Sequence, residues 1–125
     1  MARVNVMTAL SDITTFAGKK VGMWKIEIIN DSFPVEEEGF LVRENITGRE
    51  LTLQLLANAL YKAKKSEIEF DSIEMYFDFE GVTSAFQKGW LDKWAVQDWK
   101  NAKGKEIPYK DTWMLIYNLL EQIGK

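Results

Sequence analysis

One helix set among strands narrows the fold more than any other feature of this chain. Thr47-Gly48-Arg49-Glu50 is a capping-box signature, in which a threonine hydroxyl and a glutamate carboxylate satisfy free amides at a helix start. Behind it Leu55, Leu56, Ala59, Leu60 and Ala63 recur at three-four spacing. Lys62, Lys64 and Lys65 are left outward or near the C-terminal end, where the helix dipole favours cations. Three strand-like segments precede this helix. Arg3 to Thr8 alternates Val4 and Val6 with Asn5 and Met7, and Val21 to Ile29 repeats the pattern through Val21, Met23 or Trp24, Ile26 and Ile28. Glu38 to Glu44 offers a third strand around Phe40, Leu41 and Val42. Gly18-Lys19-Lys20 reads as a loop and Asn30-Asp31-Ser32-Phe33-Pro34 as a turn. After the helix, Ile73 to Phe79 predicts a fourth strand with Ile73, Met75, Phe77 and Phe79 on one face. Short connections predict an antiparallel meander for the first three strands. A strand-helix-strand crossover makes the fourth parallel to one of them.

The remainder is expected to be helical. Glu80 to Phe86 reads as a short helix, and Trp90, Leu91 and Trp94 as the apolar face of another. Lys100 to Pro108 is a polar, lysine-bearing loop, after which Asp111 caps a last helix with the stripe Trp113, Ile116, Tyr117, Leu120 and Ile123. The fold class is therefore α/β (α+β), a mixed sheet of three antiparallel strands plus a parallel fourth with three to four helices. Residues 1–125 carry no repeat, low-complexity tract or linker and form a single domain on this reading.

Composition removes whole classes of chemistry. With no cysteine and no histidine, the chain has no disulfide, thiolate zinc site, cysteine nucleophile, imidazole base or histidine metal ligand. Any metal would be a hard ion held by Asp or Glu oxygens. The formal net charge of −3 argues against a protein that coats nucleic acid, although it allows a local basic patch. No run of about 18 apolar residues occurs. The expectation is a soluble, cytoplasmic protein with no membrane partner.

The stretch Tyr76-Phe77-Asp78-Phe79-Glu80-Gly81-Val82 is followed by Gly89-Trp90-Leu91-Asp92-Lys93-Trp94, then Asp98-Trp99-Lys100, Lys105, Pro108 and Lys110-Asp111-Thr112-Trp113. It resembles, element for element, the second half of a type 1 ribonuclease H domain. Val4 to Thr8 with Ala9-Leu10-Ser11 resembles the family's first strand and its Thr-Asp-Gly-Ser turn, and Gly18 and Gly22 fall where the family carries glycines before its second strand. The resemblance implies an RNase H-like sheet. It also implies a nuclease site in which carboxylates hold two Mg2+ ions, one activating water and the other stabilising the leaving oxygen of the phosphate.

Carried over residue by residue, that carboxylate set is mostly missing. Ala9 stands at the first catalytic aspartate and cannot ligate. Asp12 is the substitute ligand, against the plainer reading of a turn or capping residue. For the second acid Glu50 competes with Thr52, which the apolar stripe places on the sheet-facing side, about 160° around the helix from Glu50. Glu50 already has a role in the capping box. Asp78 matches the third acid and Glu80 shares its task, with helix capping as the plainer reading of both. The fourth acid and the histidine before it belong to a fifth strand and terminal helix, for which a sequence reaching Lys125 is expected to be too short.

These residues predict a degenerate active site and a non-catalytic binding or regulatory protein. It would act on a protein partner or a nucleic-acid complex as an adaptor or inhibitor, a role that an origin in a phage or mobile element would suit. No cofactor is expected. The alternative is a divergent Mg2+- or Mn2+-dependent ribonuclease H that cleaves RNA in RNA-DNA hybrids, with Asp78, Glu50, Glu80 and Asp12 as its carboxylates and Asp78 as the first metal ligand. Lys88, Lys93, Lys100, Lys103, Lys105 and Lys110, interleaved with Trp90, Trp94 and Trp99, resemble the basic handle with which family members grip a hybrid duplex. The plainer reading puts Trp90 and Trp94 in one core, with Asp92, Asp98, Glu106 and Asp111 diluting the patch. A sheet ending at its fourth strand also leaves a backbone edge for a protein partner or for self-association. Glu36-Glu37-Glu38 and Glu67, Glu69, Asp71 and Glu74 could meet a basic partner there, or be plain solvated faces.

Overall fold

The structure is a computed structural model that describes residues 2–10, 19–30, 35–44, 46–68, 70–77, 80–100 and 103–123, with the backbone alone for Lys19, Lys20, Glu80 and Gly81. The alternating segments form β1 (Arg3–Leu10), β2 (Lys19–Ile29) and β3 (Val35–Glu44); the capped stripe forms α1 (Gly48–Lys65). Then come β4 (Ser72–Tyr76), α2 (Glu80–Gln87), α3 (Trp90–Val96) and α4 (Lys110–Ile123). The four strands make one sheet in the order β3-β2-β1-β4, with β1–β2 and β2–β3 antiparallel and β1–β4 parallel. The mixed sheet and the crossover through α1 are as the sequence predicts.

Several boundaries differ. Lys19 and Lys20 belong to β2, where they pair with Glu44 and Arg43, because the antiparallel ladder continues past the last apolar residue. β3 begins at Val35 rather than Glu38 for the same reason. β4 stops at Tyr76, and Phe77 instead stacks on Phe86 of α2, ring centroids 5.5 Å apart. Asp111 lies inside the first turn of α4, which begins at Lys110, so it complements the helix dipole and does not cap the helix. The half-buried Tyr117 and Leu120 flank an α4 stripe whose buried members are Trp113, Ile116, Leu119 and Ile123. Gly18, the turn at 31–34 and Phe79 lie outside the described residues.

Register sorts the strand side chains. Val4, Val6, Trp24, Ile26 and Ile28 point to one face and are buried there against α1. Trp24, not Met23, is thus the inward residue of β2. Two glycines let the layers close. A Cβ at Gly22 would come within 2.5 Å of Leu55 Cδ1, and one at Gly39 within 2.7 Å of the Trp24 indole. The absent side chains are therefore the space into which α1 and the indole settle.

Helix α1 is apolar beyond the single stripe the spacing suggests. Leu51, Thr52, Leu53 and Ala57 are buried along with Leu55, Leu56, Ala59, Leu60 and Ala63, because the sheet covers one side of the helix and α4 another. Each fully buried leucine contributes about 1.5–3 kcal/mol. At the opposite end of the fold, Asp71 Oδ2 accepts from Ala2 N at 3.0 Å while Asp71 N donates to Ala2 O at 2.7 Å, which fixes the start of β4 beside β1.

The tight packing of Trp24 gives a direct test. Gly39→Ala forces the buried indole to shift and is expected to destabilise the protein by about 1–3 kcal/mol. Urea unfolding should show a lower midpoint at unchanged slope.

Candidate functional site

The resemblance directs attention to the end of β1 and the start of α1. Ala9 is the penultimate residue of β1 and pairs with Met23; its methyl group offers no donor atom. Thr8 beside it is buried, and its hydroxyl has no hydrogen-bond partner among the described residues. At the helix start, Thr47 Oγ1 accepts from Glu50 N at 3.1 Å, as the capping-box spacing predicts. Thr47 Oγ1 also lies 2.8 Å from the Tyr109 hydroxyl, so the cap of α1 is fastened to the residue before α4. Tyr109 holds φ at 60°, a left-handed backbone that a non-glycine residue adopts only where its surroundings enforce it.

Thr52 occupies the buried, inward position. It is 1% exposed, and its hydroxyl donates to Gly48 O at 2.8 Å within the helix. Glu50 is half-buried and lines an open groove of about 550 Å³ with Glu106, Ile107, Pro108, Tyr109, Lys110, Asp111 and Thr112. Two of the candidate carboxylates, Asp12 and Asp78, lie outside the described residues, and Glu80 begins α2 with its side chain outside them. Among the described residues no three Asp or Glu side chains gather in a way that could hold a metal ion. Two hard ions that dehydrate reluctantly need several converging anionic oxygens, and the described donors do not fit them.

The basic segment has a different construction. Phe77, Phe86, Trp113, Trp94 and Trp90 form a chain of ring contacts with centroids 5.3–6.0 Å apart, running from the end of β4 through α2 and α4 to α3. Each such pair adds about 0.5–1.5 kcal/mol beyond area burial. Lys88 Nζ sits 5.4 Å from the Trp90 ring centroid, within cation-π range. Lys93, Lys100, Lys103 and Lys105 are exposed, whereas Lys110 pairs with Glu106 at 3.1 Å. Trp99 is buried and meets Tyr117 edge-on at 5.6 Å, so its ring belongs to the core and offers no free stacking face. Asp98 and Trp99 both hold positive φ, near 57° and 59°, and Trp99 N donates to Trp94 O at 2.7 Å. Inserting the indole is what anchors the lysine-bearing loop.

Sequence reasoning passed over the outer face of the sheet. Phe40, Leu41 and Val42 read as one apolar run, but alternation splits them: Leu41 packs toward the core, while Phe40 and Val42 project outward at 65% and 50% exposure. Strict period-two counting along β3 is the signal that reveals them. On β4, Tyr76 is also outward. Its hydroxyl donates to Glu74 Oε2 at 2.8 Å, and that carboxylate holds the phenol above its ordinary pKa of 10.0.

No family model matches the chain. Over 76 residues it is 33% identical to Ribonuclease H of Syntrophomonas wolfei, an alignment that covers 61% of this chain and 50% of that protein. Over 110 residues it is 26% identical to Ribonuclease H of Thermoanaerobacter sp. strain X514, covering 88% and 67%. The chain thus spans about half the length of the first of these relatives. Among solved structures, a foamy viral protease-reverse transcriptase in complex with dsDNA superposes with a TM-score of 0.67 at 16% identity, covering 96% of this chain and 74% of that one. LC9-RNase H1, a type 1 RNase H with the type 2 active-site motif, gives 0.64 at 14% identity, covering 95% and 57%. The fold is RNase H-like.

The Thr47 cap joins two helices, and its removal is measurable. Thr47→Ala is expected to lower stability by about 1 kcal/mol through the lost cap, with Thr47→Ser restoring most of it. Thermal unfolding monitored by circular dichroism checks both.

Proposed function

We propose that this chain is a non-catalytic binding protein on an RNase H-like fold, an adaptor or inhibitor that engages a protein partner or a nucleic-acid complex. The observation that carries this reading is the pair Ala9 and Thr52. A methyl group stands where the resemblance puts the first acid, and of the two residues that compete for the second the inward one is Thr52, a buried hydroxyl bonded to its own helix. Fold does not imply function, and a carboxylate site with two of its positions filled this way has no purchase on hard cations.

Binding is the property the remaining surface supports. LC11-RNase H1 and the foamy viral protease-reverse transcriptase are both known in complex with an RNA/DNA hybrid. On this chain, Lys88, Lys93, Lys100, Lys103 and Lys105 would contact backbone phosphates, which positions a duplex without reading its sequence. Trp99, buried against Tyr117, would brace the loop and leave the bases alone.

A second reading is a divergent Mg2+- or Mn2+-dependent ribonuclease H, favoured by the 33% identity to a protein of that name. It requires Asp78, Glu50, Glu80 and Asp12 to converge, with Asp78 as the principal ligand. Incubating the protein with a labelled RNA-DNA hybrid in either metal separates the two. No cleavage above a protein-free control is expected, while the hybrid is retained in a binding assay and released as salt rises. Lys93→Glu and Lys100→Glu should each weaken that retention several-fold. Metal-dependent cleavage abolished by Asp78→Asn would overturn the non-catalytic reading.

A further inference from the structure

Beside the last residues of β3, α1 and α4 form a groove of about 400 Å³. Its floor is apolar, built from the buried Ala57 and Leu119. Its polar groups converge from three elements: Arg43 of β3, Gln54 and Asn58 of α1, and Thr112 of α4. Apolar walls with a few placed polar groups are the usual make-up of a ligand site. In a chain of net charge −3, the one charged residue among those lining this groove is an arginine. The occupant it suits is therefore an anion.

Arg43 is set in advance. Its Nε donates to Gln54 Oε1 at 3.2 Å and its Nη1 to Val42 O at 2.9 Å, which holds the planar guanidinium against α1 and leaves further donors to spare. A guanidinium held in this way loses less freedom on meeting a phosphate. Tyr61, two turns further along α1, lines the same groove and is 47% exposed, with Lys65 Nζ 5.2 Å from its ring centroid. Lys62 and Lys64 share that last turn. The other exposed aromatic side chains among the described residues have acidic company: Tyr76 donates to Glu74, and Phe40 shares β3 with Glu36, Glu37 and Glu38. An exposed ring set among cations is what a single strand of nucleic acid uses, its bases stacking on the ring while its phosphates meet the charges.

Length selects among anions. Gln54, which holds Arg43, and Lys65 are eleven residues apart, about 16 Å along the helix. A small organic anion reaches one of these cations, whereas an extended chain reaches both. An acidic peptide is long enough but brings no flat face to Tyr61, and a duplex keeps its bases paired and stacked on one another. Glu50, one turn before Gln54, and Asp111 make the adjoining end of the α1–α4 groove acidic, which directs a polyanion toward Arg43, Tyr61 and Lys65.

We propose that the groove between α1 and α4 binds single-stranded nucleic acid, with Arg43 and Lys65 on phosphates and Tyr61 stacked on a base. Gln54 and Asn58 offer amide groups to the base edge, and Ala57 and Leu119 pack beneath it. The site is separate from the lysines of α3 and the loop after it, and it takes a different form of nucleic acid from the hybrid duplex proposed for them.

The test uses the whole chain and a fluorescein-labelled oligouridine of about ten nucleotides. Fluorescence polarisation should show binding that weakens as salt rises. Arg43→Ala and Tyr61→Ala, both at exposed positions, should each lower affinity about five- to tenfold, while Tyr61→Phe, which keeps the ring, stays within about twofold of the parent. Polyglutamate of the same length, which carries charge without bases, should compete at least about tenfold more weakly than unlabelled oligouridine. Retention of an RNA-DNA hybrid should be unchanged in Tyr61→Ala, and Val96→Ser, at an 88% exposed residue of α3, should leave oligouridine affinity unchanged. Circular dichroism verifies that each variant is folded. The proposal is overturned by no binding of oligouridine, by equal competition from polyglutamate, by indifference to both Arg43→Ala and Tyr61→Ala, or by hybrid retention that falls in step with oligouridine binding in Tyr61→Ala.

Discussion

The interposition of α1 between the sheet and α4 is the constraint on which the other elements depend. A helix buried on two sides has no large polar face to give up, which is why Leu51, Leu53 and Ala57 are as hidden as the stripe that faces the sheet. Close approach on the sheet side requires Gly22 opposite Leu55, and α4 packs on another side of α1. The Thr47–Tyr109 hydrogen bond ties the cap of one helix to the residue before the other. Capping, which the sequence presents as a local matter, becomes a tertiary fastening.

A second dependence runs through Trp113. It touches Phe86 of α2 and Trp94 of α3, so the short helices hold their places by aromatic contact with α4 and not by length or propensity. Helices of seven and eight residues are marginal alone and need such support. The basic segment inherits its position from this arrangement. Trp99 seated on Tyr117 fixes one end of the loop, and the Lys100–Glu106 bridge closes it. A lysine presented from an anchored loop loses less freedom on meeting a phosphate than one on a slack tail.

Burying α1 on one side of a four-stranded sheet sends the alternate side chains of each strand to the other. Phe40, Met23, Met7 and Tyr76 and the glutamates beside them are placed there by the same alternation that fills the core, read on the outward phase. RNase H-like architecture thereby gives this chain two separable surfaces, a lysine-bearing one built on α3 and an apolar-acidic one built on the strands. Ala9 sits on the second of these, in the row of Met23 and Phe40, whereas Thr52 is buried in α1.

What the sequence determined by itself was everything governed by short-range periodicity. The three-four stripe of α1, its threonine cap, the alternating strands and the crossover to a parallel β4 follow from residue spacing, because local geometry dictates which side chains share a face. That Ala9 can hold no metal was equally legible, since a methyl group cannot ligate in any conformation. Tertiary structure decided the rest. Only packing shows that Trp24 and not Met23 turns inward, that Thr52 is the buried inward residue while Glu50 lines a groove with the segment before α4, and that Trp99 is core. Only strand register joins Phe40, Met23, Met7 and Tyr76, residues far apart in the chain, into one surface. Periodicity fixes the direction of a side chain within its own element, but neighbours across strands are set by hydrogen-bond register and layer packing, which no single segment encodes.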